Sequence, residues 1–130
     1  MKTYLLNDFP SKLLLFVVLG VALPVLHIQA QEKVPIENLY KNAEHYHRQE
    51  VITEGTVIDY KQKISKKGNL YTVFKLSDGS YYVKAFSFGK IDLHNGEKAR
   101  ITGTFHKVKY VGRYKFYNEI TIKKYEILEE

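Results

Sequence analysis

Asn69–Phe88 reads NLYTVFKLSDGSYYVKAFSF. Two runs rich in β-branched and aromatic residues flank Asp78-Gly79, a dipeptide that favours tight reversals between antiparallel strands. With Asp78 and Gly79 as a two-residue turn, Lys75 falls opposite Tyr82, Val73 opposite Lys84, and Tyr71 opposite Phe86. Side chains alternate along a strand, so these six share one face. Leu76 with Tyr81, Phe74 with Val83 and Thr72 with Ala85 share the other. Sealing two unpaired lysines in a core costs several kcal/mol each. The Lys75/Lys84 face is therefore predicted to lie outside, and it carries Tyr71, Tyr82 and Phe86 with it.

The flanking sequence supplies the remaining elements. VITEGTVIDY (Val51–Tyr60) and ARITGTFHKV (Ala99–Val108) alternate like strands and carry interior glycines, Gly55 and Gly103. A glycine inside a strand pattern predicts a bulge or a sharp bend. YKFYNEITIKKYEIL (Tyr114–Leu128) is a last strand. Upstream, Pro35 can open a helix, and Ile36, Leu39, Tyr40, Ala43 and His47 recur at spacings of three and four, which predicts one amphipathic helix over 36–48. One helix and five strongly bent strands are better served by closure than by a flat sheet, because closure removes exposed edges.

The chain has 130 residues, room for one domain. Hydrophobic residues are 45%, enough for a core, and the absence of cysteine removes disulfides, thiolate metal sites and a cysteine nucleophile together. Leu13–Leu26 (LLLFVVLGVALPVL) follows Lys2 and Lys12 and precedes Ile28-Gln29-Ala30. That order predicts a secretory signal over residues 1–30, cleaved after Ala30, with an uncleaved N-terminal anchor as the rival. A bilayer span needs about 20 apolar residues, more than this run offers. Either way residues 31–130 are expected to work outside the cytoplasm, secreted or periplasmic, and to touch a membrane only through an uncleaved N-terminus.

The formal net charge is +6, and it is unevenly spread. Lys61 to Lys115 hold thirteen Lys/Arg against three acids, whereas 31–60 and 116–130 are both net negative. KQKISKKG places Lys61, Lys63, Lys66 and Lys67 between the first two strands. HKVKYVGRYK places Lys107, Lys109, Tyr110, Arg113, Tyr114 and Lys115 between the last two. Rings interleaved with lysines suit single-stranded nucleic acid, whose bases stack for about 1–3 kcal/mol each while ammonium groups meet the phosphates. A plainer account also fits: tyrosine favours strands, and exposed lysine guards them against aggregation.

The succession of helix, VITEGTV, LYTVFKLSDGSYYVKAFSFGK, NGEKARITGTF and YNEITI resembles OB-fold domains of the anticodon-binding, nucleic-acid-binding kind, over roughly residues 36–127. Its markers are Gly55, the LSDGS hairpin and the Gly96–Gly103 segment. The resemblance implies an all-β, five-stranded OB-fold Greek-key barrel with an N-terminal helix. It also implies a binding surface on strands 2 and 3 and the loops between strands 1–2 and 4–5. The segment GKIDLHNG, between strands 3 and 4, is too short for the full helix that many OB-folds carry there. The N-terminal helix is expected to close the barrel in its place.

Catalysis needs a nucleophile with a base, paired carboxylates or a metal cluster. His45 and His47 fall on different sides of a helix, His106 sits in the basic patch, and Asp59, Asp78 and Asp92 do not cluster. No grouped acids with phosphate-facing arginines suggest a nuclease, and no histidine motif suggests a haem chaperone. The expectation is a binding module without metal or cofactor. Its ligand is single-stranded nucleic acid or, alternatively, another polyanion or a protein of the cell envelope.

Overall fold

The computed structural model describes residues 32–129; the predicted leader, residues 1–30, lies outside them. Two short helices, α1 (Ile36–Lys41) and α2 (Ala43–Tyr46), precede β1 (Glu50–Ile64), β2 (Leu70–Ser77), β3 (Tyr82–Phe88), β4 (Lys98–Val111) and β5 (Tyr114–Leu128). The strands close in the order β1-β2-β3-β5-β4, with β4 returning to β1 and only β3–β5 parallel. This is the expected five-stranded OB-fold barrel.

β1 closes the ring because it serves two partners. Glu50–Thr56 pairs with β4, and Thr56–Ile64 pairs with β2. At both interior glycines a side chain has no room, but only Gly103 sits at a register shift; the ladder stays regular through Gly55. At Gly55 a Cβ would lie 2.7 Å from Ile36 Cδ1 and 2.8 Å from the Ser77 carbonyl oxygen; at Gly103 it would overlap the Thr121 carbonyl. A bulge after Ile58 then swings β1 along β2, with Asp59 in the left-handed region at φ 54°.

The inner faces of all five strands meet around Phe105, Leu76, Ile101, Ile120, Val57 and Val83, all fully buried. Burial of each such side chain stabilises by about 1.5–3 kcal/mol. Two non-strand segments complete this core. α1 contributes Ile36 and Leu39, and the helix-free connection from β3 to β4 contributes Ile91 and Leu93. The expected closure by the N-terminal helix is thus only half of what happens. Tyr60 ties the second plug down, its hydroxyl donating to the Ile91 carbonyl at 2.6 Å while Asn95 Oδ1 accepts from the Tyr60 N–H at 2.9 Å.

Two expectations are corrected. The single helix over 36–48 is broken at Asn42, whose φ of −119° and ψ of 43° are not helical. Tyr40, assigned to its apolar face, is 49% exposed. The Asp78-Gly79 turn is not a two-residue turn either. Ser77 pairs with Tyr82, Lys75 with Lys84, Val73 with Phe86 and Tyr71 with Phe88, a shift of two residues from the predicted register. A two-residue turn of the Asp-Gly type needs positive φ at both central residues, and here only Gly79 has it, at 100°. Asp78 instead accepts from the N–H groups of Ser80 (2.8 Å) and Tyr81 (2.7 Å), winding four residues into the connection. Those two bonds, Tyr81's first, hold the Asp78 carboxyl below its usual range. Tyr81 leaves the strand and packs on Tyr40, with ring centroids 5.0 Å apart. A shift of two preserves alternation, so the strand residues keep their predicted faces, and Tyr81, though outside β3, still packs against the core.

Candidate functional site

The outer face of β1, β2, β3 and β5 is read most simply as cross-strand rows. Lys63, Tyr71 and Phe88 form one row; Lys61, Val73, Phe86 and Thr121 form the next; Lys75, Lys84 and Glu119 form a third. Directly opposed side chains touch, so the rings make a continuous strip. Tyr71 and Phe86 are 5.6 Å apart, and Phe86 and Phe88 meet edge-on at 4.9 Å. Tyr71 and Phe86 are half-buried, supported by neighbours, while Phe88 is 77% exposed. Tyr82 lies at the edge of this strip, beneath the Lys75 ammonium at 4.7 Å.

Like charges directly opposed destabilise a sheet, and Lys75 faces Lys84. Two acids relieve the strain on this row. Asp59, turned outward by the bulge, pairs with Lys75 at 3.1 Å. Glu119, beside Lys84 in register, pairs with Lys109 at 2.6 Å. The Lys109 ammonium also stands over the rings of Phe86 (4.7 Å) and Phe116 (5.8 Å). A groove of ≈ 370 Å³ runs between these groups.

The two predicted basic loops are mostly strand. Lys61 and Lys63 belong to β1, leaving Lys66 and Lys67 in the turn. Lys107, Lys109 and Tyr110 belong to β4, Lys115 belongs to β5, and Arg113 sits in the tight connection. Of the cations expected to bind, Lys61, Lys63, Lys66, Lys67, Lys84, Arg113 and Lys115 form no ion pair among the described residues. Lys115 instead stands over Tyr110 at 5.5 Å. Lys107 is drawn off to Glu44 of α2 at 2.6 Å and leaves the face.

Acids of the flanking segments take up part of the central charge: Asp59 pairs with Lys75, Glu44 with Lys107 and Glu119 with Lys109. Arg100 on β4 ties Glu54 on β1 to Glu126 on β5, at 2.7 and 3.4 Å, and Lys123 meets Glu50. Arg100 too belongs to the central segment, so the positive charge left unpaired there, among the described residues, includes that of the seven cations named above.

Sequence reasoning missed Phe88, Phe116, Asp59 and Glu119. Alternation alone would have found Phe88, two residues beyond Phe86 on the same strand. No local signal marks Asp59 or Glu119, because each acquires its role from a partner on another strand. His106, opposite Glu119, is half-buried with Nδ1 lacking a hydrogen-bond partner. Burial, then the Lys109 charge, lowers its pKa from the ordinary 6.5.

No protein-family model and no curated protein matches the sequence. Solved structures do share the barrel. A chain of yeast Stn1 and Ten1 superposes with a TM-score of 0.58 at 15% identity, over 78% of this chain and 64% of that one. A chain assigned as an aspartyl-tRNA synthetase from Leishmania major Friedlin gives 0.58 at 16% identity, over 77% of this chain and 21% of its own. At such identities the likeness is one of fold. The present chain spans just under two thirds of the first and about a fifth of the second.

Proposed function

We propose that this barrel is a binding module for single-stranded nucleic acid with its contact surface on β2, β3 and the two flanking hairpins. The observation that carries the reading is the strip Tyr71–Phe86–Phe88, set beside lysines that no acid among the described residues neutralises. Exposed rings have hydrophobic area to bury, worth roughly 25 cal/mol per Å², and stacked bases cover it without demanding a sequence. The shared barrel of a chain named for tRNA supports the same reading. The chain acts here as a binder rather than a catalyst. Its apolar leader supports work outside the cytoplasm, at the cell envelope or beyond it.

The free lysines of β1 and its turn favour a second reading, in which a polyanion other than nucleic acid, or an acidic envelope protein, is held by charge alone. One titration separates the two. Binding of a short labelled oligonucleotide should weaken with salt at a slope of about −0.7 per phosphate contacted. With about four contacts, raising salt tenfold costs nearly three decades of affinity. Replacing Tyr71 and Phe86 with alanine should cost at least about tenfold if bases stack there. An affinity indifferent to both rings favours the electrostatic ligand, and no binding at low salt overturns the nucleic-acid reading.

A further inference from the structure

The junction of α2 with β4 ends on a side-chain acceptor. β1 begins its ladder with β4 at Glu50, opposite Thr104. Just ahead of it, the Phe105 N–H donates to the Gln49 carbonyl at 2.9 Å, and the Phe105 carbonyl accepts from the Arg48 N–H at 2.7 Å. The next donor along this edge is the Lys107 N–H, and His47 Nδ1 accepts it at 3.0 Å. A histidine nitrogen accepts only while it carries no proton, and in the charged ring both nitrogens are donors. This bond therefore needs the neutral ring with its proton on Nε2. Non-helical joints bracket α2. Asn42 ahead of it has φ −119° and ψ 43°, and Arg48 beyond it lies in the left-handed region at φ 68°. A non-glycine residue stays there only where surrounding bonds hold it. Ala43 and Tyr46 are partly buried against the core, whereas Glu44, which reaches Lys107 at 2.6 Å, is 82% exposed. Water weakens such a pair, so the His47 bond is what fixes the far end of the segment.

We propose that this junction is a proton-operated latch: charging His47 sets a donor against the Lys107 N–H and frees the end of α2 from β4. Histidine is the side chain whose charge changes between about pH 5 and 8. The groups around the ring set the balance. From α2 come Glu44 and His45, and Arg48 follows in the chain; from β4 come Lys107 and His106, whose ring centroid is 6.1 Å away. Behind His106 lie Lys109 and Glu119. Both acids are already held by lysines, Glu44 by Lys107 and Glu119 by Lys109. No unclaimed anion among these groups stands ready to compensate a charged His47. His106 is itself placed against charging, with Nδ1 buried and unpartnered. The latch is a property of the fold and stands whichever ligand the aromatic strip takes. Acid then adds a cation and loosens the backbone at the root of the basic β4–β5 hairpin.

The test follows hydrogen exchange of the Lys107 amide by NMR in the full chain at pH 7 and pH 5, corrected for the intrinsic effect of pH. The Ile101 amide, inside the barrel, reports any general loss of stability. Protection of Lys107 should fall at least about tenfold more than that of Ile101, the mark of a local opening. His47→Gln keeps an acceptor that does not titrate, and it should hold Lys107 protected at both pH values. His106→Gln should leave the loss in place. Equal changes at Lys107 and Ile101 in the natural chain overturn the proposal, as does a loss that persists in folded His47→Gln or vanishes in folded His106→Gln. Should His47→Gln fail to fold or to protect Lys107 at pH 7, the imidazole nitrogen shifts of the natural chain decide. A proton on His47 Nδ1 at pH 7 overturns the latch; a bare Nδ1 that gains its proton as protection is lost supports it.

Discussion

The hairpins β1–β2 and β4–β5 flank the same face; both carry cations unpaired among the described residues, and they differ in their exposed rings. The first ends in Lys61, Lys63, Lys66 and Lys67, with Ile64 and Leu70 as its exposed apolar residues. The second carries Tyr110, Tyr114 and Tyr117, all more than half exposed, and its paired cation Lys109 is bound to Glu119. In β4–β5, Val108–Val111 and Tyr114–Tyr117 pair only with each other, so rings rather than barrel contacts cover that ladder. One arm therefore holds mainly charge in water, where screening is strong, and the other adds to Arg113 and Lys115 rings that gain by being covered. The difference teaches that the salt-dependent share of the affinity should reside mainly in the first arm and a smaller, salt-independent share in the second.

Breaking the cationic arm should have the largest effect. Alanine at Lys61, Lys63, Lys66 and Lys67 together is expected to weaken oligonucleotide binding on the order of a hundredfold at 50 mM salt. The salt slope should flatten by nearly three, as read by anisotropy across a salt series. A slope that stays steep would place the phosphates elsewhere. Alanine at Tyr110 and Tyr114 is expected to cost about tenfold with the slope unchanged. A change of slope there would erase the division between the arms.

Asp59→Asn sharpens the comparison from the other side. Asparagine tolerates the left-handed backbone that Asp59 adopts, and the change releases Lys75 from its partner. Binding should tighten by about two- to threefold and the slope steepen by up to roughly 0.7. Weaker binding would mean that the pair orders the face rather than masking it.

The smallest effect concerns stability at the root of β4–β5. Burial, and then the Lys109 charge, opposes the charged form of His106 in the fold, whereas its ordinary value is 6.5. Below that pH the unfolded state binds the extra proton, so stability falls on acidification and is regained on raising the pH. The melting temperature of the natural chain should drop between pH 7 and pH 5. His106→Gln should reduce that drop, and an undiminished drop would assign it to other groups.

Much of the face was legible from residues alone. The alternation of Tyr71, Lys75, Lys84 and Phe86 places them together whichever even register the turn selects, which is why a two-residue error in pairing left the surface intact. Gly103 announced the irregularity that β4 shows there, whereas at Gly55 the ladder is regular and the glycine answers to close contact with Ile36. The turn itself was misjudged because the Asp78 carboxylate, not the backbone preference of Asp-Gly, sets its length.

Period-two patterning and the crowding of lysines into residues 61–115 are local properties, readable along one strand at a time. They specified a barrel with a basic, aromatic exterior. Barrel closure chose the rest. It brought Asp59 to Lys75 and buried Glu119 beside Lys109, and it sent Lys107 away to Glu44. Ion pairing depends on distance in space, and distances between strands exist only once the chain has closed on itself.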